Sequence, residues 1–542
     1  MLDTVNLPDD SGSFFKKNLQ LLAHQDIQPV LRRIQRGIEK EGLRVNSNGE
    51  LALTPHPQAL GSALSNSWLT TDFSESLLEF ITPVFESIEE TIDYLRDIHA
   101  LAYAQLSDEI IWGASMPCIL PADELIPLAQ YGSSNIAKMK TVYRRGLGLR
   151  YGRAMQTVAG IHYNFSLPEA FWRRAFDHAR VSGLTEHTHL QSYIDERYFD
   201  LIRNFRRNYW LLIYLFGSAP CVDKSFIHNR DNDLIALSEQ DLYYPNATSL
   251  RMGDLGYQSS AQKSLFVCYN GLNNYIETLG NAIKTPYPAY EEIGLKKGDT
   301  YQQLSTALLQ IENEFYSPIR PKRVTHSGET PLRALEQRGV EYIEVRCMDI
   351  NPMLAGGIDA ETIRFLDSFL LYCLLSDSPQ CDKQEFERIS VNHSRIVNKG
   401  RDPALKLYCG KTEVPMGDCA NRLINGIESI AKQLDQAHNI AQQIPTHWYT
   451  QSVTKQREKV LDVSLTPSAQ VLKQMQDLGE THIDFGMRQS QKHANYYKQR
   501  NVDTETQERL MQIASDSLDS QRKIEQDSNT DFSSFLYAYY QQ

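Results

Sequence analysis

The chain has 542 residues, 41% hydrophobic and 23% charged, proportions of an ordinary globular protein with room for a large core. A formal net charge of -12 excludes general nucleic-acid binding, which calls for a basic face. Eight cysteines with no C-x-x-C pair suit thiols of a reducing compartment better than a disulfide framework or a structural zinc site.

The first residues, MLDTVNLPDDSGSFF, lack the basic and apolar regions of a secretory leader, which points to the cytoplasm. A polar lead-in with a short helix occupies the first thirty or so residues. RGIEKEGLRV, 36 to 45, reads as a strand that sets Glu39 and Glu41 on one face, where they repel unless something positive lies between them. LRVNSNGELAL carries an Asn48-Gly49 turn and predicts a hairpin. In TTDFSESLLEFITP, Asp72 precedes a strand from which Glu79 projects opposite Leu78 and Phe80. A capping box at Ser87 and Glu90 opens a helix with apolar Ile88, Ile92, Leu95, Ile98 and Ala102 on one face. TVAGIHYNFSL sets His162 and Asn164 against Ile161, Tyr163 and Phe165. The longest apolar run, Tyr209 to Cys221, contains Gly217 and Pro220 and is too short to cross a bilayer. EYIEVRCMDINP puts Glu344 and Arg346 on one face with Tyr342, away from Ile343 and Val345. Pro83, Pro168 and Pro352 mark strand ends.

Beyond Pro352 the pattern turns helical, from Ile363 to Leu375 and through Leu423, Ile427, Ile430, Leu434 and Ile440 as far as Pro445. The last fifty residues, rich in Gln, Asp and Glu, read as solvated scaffold helices with frayed ends. Regular strand-helix-strand units are missing, so the expected fold class is α+β with a mostly antiparallel sheet. The expected organisation is a catalytic core over 1–355 and a helical region over 356–542 packed on it.

The polar faces of these strands hold five carboxylates, Glu39, Glu41, Asp72, Glu79 and Glu344, and the imidazole of His162. For any one pair, a half-exposed sheet with its polar side in water explains the pattern. The set as a whole suits a hard cation, magnesium or manganese, with imidazole tolerated best by manganese. Arg346 beside Glu344 adds what phosphoryl transfer requires, a positioned cation next to metal ligands. Two basic clusters, Arg320, Lys322 and Arg323 in RPKRV and Arg144, Arg145, Arg150 and Arg153 in YRRGLGLRYGR, are either solvated faces or further phosphate contacts. A phosphate loop, an H-E-x-x-H helix and a G-x-S-x-G elbow are absent, and Gly146, Gly148 and Gly152 do not have dinucleotide spacing.

The segments QRGIEKEGLRV, HPQALGSAL, TTDFSESLLEFITP, QTVAGIHYNFSLP, ATSLRMGDLGY, QIENEFYSPIRPKR and EYIEVRCMDINP closely resemble, in order, the proteobacterial type of glutamate-cysteine ligase. The resemblance runs from about residue 34 to 353 and fades through the helical part. It implies a glutamine-synthetase-like fold, a curved and mainly antiparallel sheet forming a funnel with helices outside. It also implies ATP-dependent joining of the L-glutamate γ-carboxyl to the L-cysteine amine, through an acyl phosphate. By the same resemblance Glu39, Glu41, Asp72, Glu79, His162 and Glu344 hold Mg2+ or Mn2+, with Glu41 and His162 either direct ligands or supports of the others. Arg346 contacts the transferred phosphoryl group of ATP and, with Glu344, is catalytic. Gln156, Asn164 and Arg251 line the glutamate end, Arg251 otherwise being a surface partner of Asp254. Tyr143, Tyr257 and Tyr316, joined by Phe73, form the wall near the cysteine acceptor, or are simply half-buried aromatics with wet hydroxyls. The expected partners are these small molecules alone, with no nucleic acid and no membrane, and the chain acts as a monomer making one peptide bond. A ligase of the same fold acting on another amine, a small-molecule kinase and a metal-stabilised binding protein are the rival readings.

Overall fold

A computed structural model describes residues 13–227, 230–256, 261–326, 328–442 and 445–542. Its centre is a seven-stranded sheet built from β1 (Gln35–Val45), β2 (Leu69–Thr71), β3 (Leu77–Ile81), β4 (Ile110–Ile111), β5 (Gly160–Ser166), β6 (Ile319–Lys322) and β7 (Tyr342–Asp349). The strand order is β6-β7-β5-β1-β3-β2, with β4 also on β1, and every pair is antiparallel. β1 is the hub. Its register sets Glu41 beside Glu79 of β3 and Glu39 beside His162 of β5, while β5 sets Asn164 beside Glu344 of β7.

Alternation then sorts side chains between the two faces of the sheet. Ile38, Phe80, Tyr163, Phe165, Ile343 and Val345 point to the back and are fully buried. Each such side chain taken out of water contributes about 1.5–3 kcal/mol to the drive for burying this face. Helices frame the sheet, and eleven of them bear on the site or on its support. They are α1 (Ser13–Leu22), α2 (Ile88–Gln105), α3 (Asn135–Tyr151), α4 (Glu169–Val181), α5 (Trp210–Phe216) and α6 (Ala360–Leu375). They continue with α7 (Met416–Gln442), α8 (Trp448–Leu461), α9 (His482–Gln499), α10 (Thr504–Gln526) and α11 (Phe532–Tyr540).

α2 begins where its sequence signal puts it: the Ser87 hydroxyl accepts from the Glu90 N–H at 3.2 Å, and the helix packs on β1 and β3. α5 packs on β7, and α6, apolar nearly all round, is buried among α7 and α8. A buried ion pair pins α6 to the sheet, with Arg36 of β1 2.7 Å from Asp367, whose other oxygen accepts from the Tyr163 hydroxyl at 2.6 Å. The Asn48-Gly49 turn forms, with Gly49 at φ 77°, but the second arm of its hairpin is reduced to a Val45–Leu51 bridge, beside which Glu50 pairs in parallel with Ile119.

Two expectations are corrected. Cys409 and Cys419 are paired as a disulfide, since the hairpin Lys406–Cys409/Thr412–Pro415 folds Cys409 back onto the first turn of α7; the other six cysteines are free. The last fifty residues are also more than a solvated scaffold. The Trp68 indole donates to the Leu510 carbonyl at 3.1 Å, Ser62 N–H donates to the Ser517 hydroxyl at 2.8 Å, and Leu536 of α11 is buried with Met139 and Val142 of α3. Sparse apolar positions on these helices suffice because each meets a ready-made groove.

Candidate active site

The front face of the sheet carries the polar partners of the back-face residues. On β1 and β5, Glu39 receives hydrogen bonds on both oxygens, from His162 Nδ1 at 3.1 Å and Asn164 Nδ2 at 2.9 Å. Glu41 accepts from the Gly160 N–H at 2.6 Å and lies 3.8 Å from His162 Nε2. On β7, Glu344 is 2.9 Å from Arg346 Nη1 and 3.3 Å from Lys322 Nζ of β6, and Arg346 Nη1 is 3.4 Å from His162 Nδ1. One ligand atom each from Glu39, His162 and Glu344 fall within 4.8 Å of one another, as do those of Glu41, Glu79 and His162. His162 belongs to both groups.

The charges on this face are unbalanced. Burial alone would raise Glu344, yet Lys322 and Arg346 hold it well below the usual carboxylate range. Burial would likewise raise Glu39, but the His162 hydrogen bond keeps it below its ordinary value. Glu79 goes the other way: burial first, then Glu39, Asp72 and Glu41, push it well above, with Arg346 opposing. Glu41 is raised by burial and then by Asp72. Glu344 is thus satisfied by two cations and Glu39 by hydrogen bonds, while Glu41 and Glu79 sit in a crowd of like charge that favours their protonated forms. His162 Nε2, on a side chain 5% exposed and facing this crowd, has no hydrogen-bond partner. A buried imidazole lone pair among such carboxylates is a donor set that fits a divalent ion.

A pocket of about 100 Å³ opens beside these groups, lined by Glu41, Asp72, Phe73, Tyr143, Gln156, Arg251, Tyr316 and Arg346 among others. Residues from widely spaced segments of the chain therefore meet in one place. Gln156 Nε2 donates to the Tyr316 hydroxyl at 2.9 Å. Arg251 is 1% exposed, so it is no surface residue, and its guanidinium passes over Gly160, where a Cβ would lie 1.9 Å from Nη2. A side chain there would push the guanidinium aside. Asn164 does not line this pocket; it lines a neighbouring cavity of about 690 Å³ shared with Gly37, Arg323 and Tyr342. Tyr257 lies outside the described residues.

Arg144 also lines the pocket; its Nε donates to the Asp72 carbonyl and its guanidinium stacks 4.7 Å from the Tyr131 ring centre. Sequence singled out Arg144 and Lys322 only as members of basic clusters, and the clusters divide in space. Arg150 forms a buried pair with Glu314 at 2.8 Å, Arg320 donates to the Asn313 and Phe315 carbonyls, and Arg153 donates to the Glu124 and Ile126 carbonyls. Those three build walls. No local signal separates them from Arg144 and Lys322, because the difference lies in which strand or loop comes to face them.

The profile of a family described as glutamate-cysteine ligase matches residues 19–396. A protein from Pseudomonas putida named glutamate-cysteine ligase is 49% identical over 511 residues, covering 94% of this chain and 95% of its own length. One of the same name from Saccharophagus degradans is 50% identical over 518 residues, with coverages of 95% and 96%. The crystal structure of a glutamate-cysteine ligase from Francisella tularensis in complex with AMP superposes with a TM-score of 0.86 at 35% identity, covering 94% of this chain and 98% of that one. A bifunctional glutathione synthetase from Pasteurella multocida, 23% identical with a TM-score of 0.71, shares the fold over 93% of this chain and 58% of its own.

Proposed function

The chain belongs to the glutamate-cysteine ligase family, and we propose that the front face of its sheet is where the family's reaction is carried out. The reaction joins the γ-carboxyl of L-glutamate to the amine of L-cysteine with cleavage of ATP to ADP and phosphate, and it is the first step of glutathione synthesis. A free carboxylate resists attack by an amine because oxide is a poor leaving group. Transfer of the ATP γ-phosphoryl group to the γ-carboxylate gives an acyl phosphate and ADP. The cysteine amine then adds to the acyl carbon, phosphate leaves, and the amine loses a proton.

The observation that carries this reading is the unbalanced front face, with crowded carboxylates around an unpartnered imidazole nitrogen and Arg346 at their edge. Magnesium or manganese held by Glu39, Glu41, Asp72, Glu79, His162 and Glu344 would neutralise the phosphates and lower the repulsion between ATP and an incoming carboxylate. Arg346, oriented by Glu344, meets the transferred phosphoryl group. Gln156 and buried Arg251 hold glutamate, Arg251 by its fixed positive charge, and Asn164 orients Glu39. Tyr143 and Tyr316, with Phe73, wall the acceptor side and keep water from the acyl phosphate. The nucleoside of ATP occupies the 690 Å³ cavity at the Asn164 end of the sheet, a placement supported by Asn164, which lines that cavity and donates to Glu39. Catalysis belongs to residues 1–355, supported by 356–542. The protein acts as a cytoplasmic monomer without nucleic acid or membrane; no helix among the described residues is long and apolar enough to cross a bilayer.

The test is to follow ADP and product together, with glutamate and ATP in Mg2+ or Mn2+, with and without cysteine and with a panel of other amines. γ-Glutamylcysteine equal to ADP, with release raised strongly by cysteine, is the expected result. Equal ADP release without cysteine would make the protein a kinase, and a much higher kcat/KM for another amine would overturn cysteine as acceptor.

A further inference from the structure

Away from the sheet, three side chains from two distant segments converge on one point of the surface. His24 Nδ1 and His178 Nε2 both face the Asp26 carboxylate, His178 at 3.2 Å, and the three ligand atoms lie within 4.8 Å of one another. The two imidazole rings are 4.4 Å apart, edge to face. We propose that His24, Asp26 and His178 form a site for a borderline divalent cation of the zinc class, which fastens the turn after α1 to the last turn of α4.

The donor set decides the class of ion. Two imidazole nitrogens and one carboxylate oxygen suit zinc and its late first-row neighbours, whereas magnesium and calcium prefer oxygen throughout. Three protein ligands leave a tetrahedral ion one position for water. Neutral imidazole binds with either nitrogen, so the change from donating a hydrogen bond to Asp26 to ligating an ion needs only the other tautomer.

The three groups are also held in place before any ion arrives. The turn is fixed by its own backbone, with the His24 carbonyl accepting from Ile27 and Gln28 N–H at 3.0 Å each. Ile27 anchors it, fully buried, and Gln28 Nε2 donates to the Leu22 carbonyl at 2.7 Å. Arg174 of α4, one helical turn before His178, donates to the backbone carbonyl of Asp26 and leaves its carboxylate to the two imidazoles. A tripod on a hydrogen-bonded turn and a helix loses little freedom on binding an ion. At least one ligand side chain is 47% exposed, so an ion reaches the site directly from water.

The test is zinc competition against a chromophoric chelator, on the full chain in excess Mg2+, for the parent and for His24→Gln, His178→Gln, Asp26→Asn and Glu344→Gln. The expected result is one equivalent of Zn2+ that survives Glu344→Gln and is weakened more than roughly tenfold by each substitution in the tripod. A rise in Tm on adding that equivalent should vanish in the same three variants. These variants should keep the Mg2+-dependent ligase activity of the parent, which reports on the fold and on the front face separately. Unchanged zinc affinity in His178→Gln and His24→Gln, or loss of all tight zinc in Glu344→Gln, would overturn the proposal.

Discussion

Glu79 is the residue on which the front-face charges press hardest. It is half-buried, it feels Glu39, Asp72 and Glu41, and Arg346 only partly relieves it. In the metal-free protein its protonated form is therefore favoured, and Glu79→Gln, which copies that form, should leave the metal-free Tm unchanged or raise it. The same substitution removes an anionic ligand, so Mg2+ or Mn2+ affinity should fall by more than roughly tenfold and the rise in Tm on adding the ion should shrink. A Glu79→Gln protein that melts well below the parent without metal would show the carboxylate serving the fold instead. The sequence made Glu79 a candidate through strand alternation and through the family resemblance. What it could not show is that Glu344 has its own cations and Glu79 does not, because Lys322 reaches Glu344 only through the β6-β7 register.

At the scale of elements, the strands were legible because each has one apolar parity and one chemical parity, and antiparallel pairing then aligns them. The helical wall of the pocket was not. α3 carries Tyr143 among residues with no strong apolar stripe, and its support comes from the far end of the chain: Leu536 packs on Met139 and Val142, and the Tyr540 hydroxyl donates to the Gln310 carbonyl at 2.7 Å. Gln310 Nε2 in turn donates to the Tyr143 carbonyl at 3.2 Å. Deleting Asp531–Gln542 should therefore loosen α3 and raise the KM for cysteine several-fold more than that for ATP, with the sheet intact by circular dichroism. Equal effects on all substrates, or none, would separate α11 from the acceptor wall.

At the scale of the whole molecule, the back of the sheet is locked by charge as well as by apolar packing. Arg36 and Asp367 are 1% and 0% exposed, and Asp367→Asn leaves a buried guanidinium without its counter-charge, a change expected to cost about 3–5 kcal/mol in urea unfolding. Behind the same sheet, His493 of α9 is lowered to about 4, chiefly by burial and then by Lys40. Its folded pKa lies below the unfolded value near 6.5, so its stabilising contribution is complete above about 6.5 and is lost as pH falls towards about 4. Over that window His493→Gln should lose up to about 3 kcal/mol less stability than the parent, and parallel pH profiles would contradict the assignment. Such long-range partnerships are invisible locally, since Arg36 and Asp367 are 331 positions apart and each reads as an ordinary charged residue. The most direct measurement is the steady-state rate of γ-glutamylcysteine formation by Glu344→Gln, set beside its Tm and circular dichroism. If the front face is the active site, kcat falls by at least about a hundredfold in a chain that remains folded. Near-parental kcat in a folded Glu344→Gln protein would move the chemistry elsewhere.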